Sequence, residues 1–314
     1  MQVLVIILTL GLVMSILSLP LDKIGTKIAI LVFKQYLKNK FNGQDSGVGN
    51  LLSLRGALPP DVNVEEHSGY FQGDIVLDDA YTDKLVNSML RNAYIGYDSR
   101  WPNNTVPYEF NDKDFDEEQR DAIRDGMKLI ANNTCVKFRP RMPKDKVYVN
   151  ITANATGCYA HVGFFPGLIK GWRVLNYAPY PPGEGCLTIG TIVHELMHIL
   201  GFQHMHSTYD RDNYVRIIEE NIIPGTESFF AILDSDRVSN LGVEYEIQSV
   251  LHYSPLAFSR NGNYTIEALE PYEGLMGQRE YVTDSDWLRI NRHYDCPGAW
   301  DETVDETYEK SCGC

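Results

Sequence analysis

Basic residues are the scarce class in this 314-residue chain: 28 Lys and Arg face 42 Asp and Glu, and 28 − 42 gives a formal net charge of −14. A nucleic-acid binder draws its affinity from a basic face, so that class is excluded. No P-loop, GxGxxG or GxSxG motif occurs, which removes the common phosphate-cradling, dinucleotide-binding and serine-hydrolase signatures. No internal repeat is present, so a repeat array is not the architecture. Cysteine is absent before Cys135, and charge is absent from Met1 to Leu19. What remains is 44% apolar and 11% aromatic, enough to bury a full core. The length suits one large domain, or one domain plus a smaller appendage.

The uncharged run VLVIILTLGLVMSILSL reads as a secretory signal in preference to a membrane anchor, because it is short and Ser15, Ser18 and Pro20 lie near its end. Export makes oxidised pairing the default for the six cysteines, Cys135, Cys158, Cys186, Cys296, Cys312 and Cys314; spacing alone does not choose among 15 connectivities. Five glycosylation sequons, at Asn103, Asn132, Asn150, Asn154 and Asn263, agree with a secreted, extracellular protein.

Residues 21 to 63 begin Lys-rich and continue Gly/Ser/Pro-rich without a strong period, as a loosely built front section would. A short helical-looking piece ends at Arg91. From Trp101 the texture is that of a compact domain. VPYEF (Val106 to Phe110) and VYVNIT (Val147 to Thr152) alternate like strands, and between them Ile123, Met127 and Ile130 share one face of a helix begun by Asp112 to Asp116.

The chemistry lies in TIVHELMHILGFQHMHSTYDRDNY, Thr191 to Tyr214. His194 and His198 are four residues apart, so a helix of about 3.6 residues per turn projects both imidazoles from one face. Gly201 can adopt the left-handed conformation that stops the helix, and the returning chain brings His204 as third ligand. Three imidazoles leave one tetrahedral vertex of a Zn2+ ion open for water, the pattern of a catalytic site, with one ion per chain. Glu195 is suited to move the water's proton to a leaving amine, as a general base and not a ligand. His206 competes with His204, but the extended spacing HExxHxxGxxH favours His204. His67, His161, His252 and His293 are read as structural.

This segment resembles the astacin family of metzincin metalloendopeptidases, and VPYEF, TCVKF, GCYAHVG, DRDNYV, SVLHY and YDC extend the likeness from about Trp101 to Cys296. The resemblance implies an α+β, two-lobed catalytic domain with a twisted mixed sheet and a zinc-binding helix, preceded by a propeptide. It implies peptide bound along an edge strand containing Tyr159 and Ala160. It also implies disulfides Cys135 to Cys296 and Cys158 to Cys186, and Tyr253 as zinc ligand at rest and oxyanion partner in turnover. FQGD, Phe71 to Asp74, resembles the family element whose aspartate ligates zinc in the precursor, so Asp74 is a precursor-only ligand. The implied organisation is a signal at 1–20, propeptide at 21–91, catalytic domain at 92–298 and acidic Cys-containing tail at 299–314. Expected partners are protein or peptide substrates and an activating protease cutting near Arg91, without nucleic acid or membrane anchorage.

Two departures stand out. Leu251 replaces the family's Met beneath the metal, an exchange that costs less than about 1.5 kcal/mol. Met205 replaces the Glu that anchors the new N-terminus in relatives, and Thr208 replaces the usual Arg. They motivate a rival reading, a non-catalytic secreted zinc-containing glycoprotein that binds a partner through its cleft.

Overall fold

Sheet formation begins with a fragment of the front section. In the computed structural model, which describes residues 63–77, 99–153, 157–164, 171–233, 235 and 239–301, the first strand is β1 (Ile75–Val76). The alternating runs become β2 (Thr105–Phe110) and β4 (Tyr148–Thr152), with β3 (Lys137–Pro140) between them in sequence. Then follow β5 (Cys158–His161) and β6 (Trp172–Tyr177). The spatial order is β1-β5-β6-β4-β2-β3. All neighbouring pairs are parallel except β5 with β6, so the sheet is mixed.

Parallel neighbours need a crossover, and α1 (Glu117–Asn133) supplies the one from β2 to β3. Its start is set by Asp116, whose carboxylate accepts from the Gln119 backbone N–H while the Gln119 side chain accepts from the Asp116 N–H. Ile123, Met127 and Ile130 are buried along one face, as the spacing predicts.

The second strand departs from its pattern. Alternation predicts one solvated face for β4, yet four of its five residues are buried. The polar face is covered from within: the Arg141 guanidinium lies 3.6 Å from the Tyr148 ring centre, and Thr152 donates to Asn176 on β6 at 2.9 Å. A central strand is flanked on both sides, which local alternation does not encode.

Beneath the sheet lies α2 (Ile189–Ile199), fully buried from Gly190 to Ile199. Beyond it, described residues 202 to 283 hold only 3-10 turns and the antiparallel pair β7 (Val215–Ile217) with β8 (Ile266–Ala268). This irregular lobe closes with α3 (Asp284–His293), capped by Thr283. Asp286 of α3 accepts from Ser249 Oγ at 2.6 Å and from the Val250 N–H at 3.0 Å, which ties the helix to the turn under α2.

Two disulfides, Cys135–Cys296 and Cys158–Cys186, join these parts, in the pairing the resemblance implies. Expectations for the signal at 1–20, the helical piece and cleavage near Arg91, Asn154, and Cys312 and Cys314 lie outside the described residues. No described helix is long and apolar enough to cross a membrane.

The bridges enclose 161 and 28 residues of sequence separation, so loop-closure entropy predicts unequal contributions. Paired Cys→Ser replacement should cost about 5 kcal/mol at Cys135 and Cys296, and about 3.5 kcal/mol at Cys158 and Cys186. Denaturant unfolding of the two double variants checks the order.

Candidate metal centre and the segment that covers it

Thr188 caps α2 by accepting from the Thr191 N–H, and the helix then places His194 and His198 one turn apart with ring centres 4.8 Å from each other. Gly201 ends the run at φ 106°, a conformation that costs a side-chain-bearing residue more. Its N–H donates to His198 O and that of Phe202 to Met197 O, closing the helix end. The chain doubles back and delivers His204, whose ring centre is 4.7 Å from that of His198.

Every imidazole is oriented through Nδ1. His194 Nδ1 faces Val250 O at 2.7 Å and His198 Nδ1 faces Phe202 O at 2.8 Å. A carbonyl only accepts, so both Nδ1 atoms carry the proton and both Nε2 atoms present a lone pair. Those two Nε2 atoms are only 3.1 Å apart. Two buried lone pairs at that distance repel unless a cation lies between them, and the donor set fits Zn2+. Asp74 Oδ2 completes the group at 3.0 Å from His194 Nε2, 3.2 Å from His204 Nε2 and 3.7 Å from His198 Nε2. All four are buried, with ligand atoms within 4.8 Å of one another.

The charges respond accordingly. Burial by itself would raise the Asp74 carboxyl, but its neighbours His204, His198 and His194 hold it well below the usual carboxylate range. Burial pushes His194 and His204 down from the ordinary imidazole range. Burial, then the Asp74 charge, raises Glu195 well above an ordinary carboxyl. Among the described residues neither oxygen of Glu195 has a hydrogen-bond partner.

Other predicted residues gather around the same point. Tyr253 is fully buried, and its hydroxyl donates to Gln72 O at 2.6 Å in this form. The β5 edge is taken: Ile75 sits opposite Ala160, the Ala160 N–H donates to Asp74 O at 2.9 Å, and Tyr70 lies 4.1 Å from Tyr159 between ring centres. His206 is outside the metal group and faces Phe229 O at 3.0 Å. His161 accepts from the Val174 N–H, and His252 bonds Tyr245 and Tyr253 O, in structural roles. His67 and His293 are also outside the group.

The model of the Astacin peptidase family matches residues 94–295. The chain belongs to the astacin family. It is a zinc metalloendopeptidase, and its substrates are proteins. Similar proteins include seminal metalloprotease 1 of Drosophila melanogaster, 38% identical over 234 residues, or 73% of this chain and 88% of that one. Zinc metalloproteinase nas-8 of Steinernema carpocapsae is 34% identical over 235 residues, 74% of this chain and 54% of that one, so this chain spans about half its length. Among solved structures, high choriolytic enzyme 1, a hatching enzyme zinc-protease of Oryzias latipes, shares 32% identity at a TM-score of 0.54 and covers 63% of this chain and 93% of that one.

The astacin match stops short of residues 63–77, where sequence reasoning also missed most of the contacts. Glu65 pairs with Arg279 at 2.6 Å, both side chains buried. Glu66 accepts from the Ser254 N–H at 2.7 Å and Ser254 Oγ at 2.9 Å. Ser68 Oγ donates to Cys158 O and accepts from the Cys158 N–H. Gly73, at φ 90°, folds the turn tightly enough that a Cβ would lie 2.8 Å from the Glu66 backbone. Adjacent acids at Glu65 and Glu66 were the one local signal; their partners lie 188 and 214 residues away.

Burial and the Glu65 charge push Glu66 up from 4.5 to about 8. A carboxyl that ionises less readily when docked favours docking fully below its free value and weakens it as pH rises through the docked one. The 63–77 segment should therefore become more accessible to a probing protease between about pH 5 and pH 9, and Glu66→Gln should flatten that dependence.

Proposed function

We propose that this astacin is exported as a latent precursor in which residues 21–91 form the propeptide and Asp74 blocks the metal. The observation that carries the proposal is the Asp74 carboxylate within 3.7 Å of all three imidazole Nε2 atoms. The same segment lies on the β5 edge and holds the Tyr253 hydroxyl. An activating protease cutting near Arg91 would free all three surfaces, leaving a catalytic domain at 92–298 and a tail at 299–314.

His194, His198 and His204 would hold one zinc ion, which would supply Lewis acidity toward water and the scissile carbonyl. Glu195 accepts the proton of the attacking water and returns it to the leaving amine; its unbonded, buried oxygens are what such a shuttle requires. Tyr253, released from Gln72, donates to the developing oxyanion. Tyr159 and Ala160 on β5 accept a substrate main chain as an added strand. Secretion is supported by the uncharged first nineteen residues, by two disulfides, and by sequons of which Asn103, Asn132 and Asn263 are exposed. The partner-binding alternative has less support, since a pure binder has no chemical use for Glu195 and Tyr253.

Two variants test the reading. Glu195→Gln should retain zinc and lose turnover by roughly two to four decades; full activity would remove Glu195 from the base role. Asp74→Ala should give an uncut precursor that cleaves casein, and an inert one would argue against the switch.

A further inference from the structure

We propose that Gln72 is a positioning residue for the zinc site, so that the segment blocking the metal also completes the orientation of its third ligand. The inference rests on the three-histidine zinc reading above and concerns how His204 is held.

His194 and His198 take their Nδ1 acceptors from the catalytic domain itself, Val250 O and Phe202 O. His204 does not. Its Nδ1 lies 3.1 Å from Oε1 of Gln72, a residue of the segment. The amide's orientation follows from its other end: Gln72 Nε2 lies 3.2 Å from Phe229 O, which can only accept, and 3.0 Å from Ser207 Oγ. The nitrogen must face Phe229, so the oxygen faces His204. A carbonyl oxygen accepts, so His204 carries its proton on Nδ1, and its Nε2 lone pair turns toward Asp74 and the metal.

The arrangement is held firmly. Gln72 is buried at 1% exposure, and its backbone is left-handed at φ 50°, a conformation that persists in a non-glycine residue only when the surroundings over-determine it. Those surroundings are His204, Ser207, Phe229 and the Tyr253 hydroxyl on its carbonyl. When the segment leaves, His204 alone among the three ligands loses this acceptor. The precursor is thus the form built to acquire and retain zinc, and processing loosens one ligand at the moment it opens the site.

The test measures zinc release to excess chelator from the full-length precursor. Gln72→Met removes the acceptor and should speed release by about tenfold or more, the usual effect of losing a ligand's hydrogen-bond partner. Gln72→Glu loses the same two amide donations and turns a carboxylate oxygen toward Phe229 O, yet keeps an oxygen for His204 Nδ1, and should release zinc more slowly than Gln72→Met. Loosening of the segment falls on both variants and more heavily on Gln72→Glu, so release from Gln72→Glu as fast as from Gln72→Met would overturn the proposal, as would an unchanged rate in Gln72→Met. A wild-type precursor without zinc would instead defeat the three-histidine reading.

Discussion

One carboxylate oxygen set among three imidazole nitrogens is the contact on which the rest depends. Asp74 and the three histidines are wholly buried, and removing such groups from water is costly unless they are paired or bound to a metal. The geometry meets that condition only as a unit. Asp286 on α3 receives the Val250 N–H, and the Val250 carbonyl in turn receives His194. Gly201 reverses the chain so that Phe202 O can hold His198. The irregular lobe thus presents two backbone carbonyls, Val250 O and Phe202 O, to the ligands.

The front segment occupies the surfaces proposed to serve turnover. The edge of β5 pairs with β1, although an unpaired edge is what an extended peptide would need. The Tyr253 hydroxyl is likewise taken by the same front-section stretch, through Gln72 O. That stretch is held by Glu65 and Glu66 on Arg279 and Ser254, and by Asp74 among the histidines.

The two departures from the family pattern are neighbours in space: the Met205 N–H donates to Leu251 O at 2.9 Å, and both residues are buried. Neither supplies a polar atom to the metal group. An apolar side chain at Met205 sits comfortably in a core, whereas a buried carboxylate there would need a charged partner. At this turn the two positions are joined through the backbone.

From the residues alone came the zinc helix, its glycine stop and the order of the three histidines, while the blocking role of Asp74 came from the resemblance of FQGD to a family element. Each is a local pattern, set by helical period, by the left-handed freedom of glycine or by a short motif. The capped helix α1 and strand β2 were legible for the same reason. Only the folded chain decided that β4 is covered on both faces, that Gln72 and not a domain carbonyl orients His204, and that Glu65 and Glu66 meet Arg279 and Ser254. Those pairings join residues far apart in sequence, and no periodicity spans such a separation; they exist because folding lays a front segment into a cleft whose walls come from the other end of the chain.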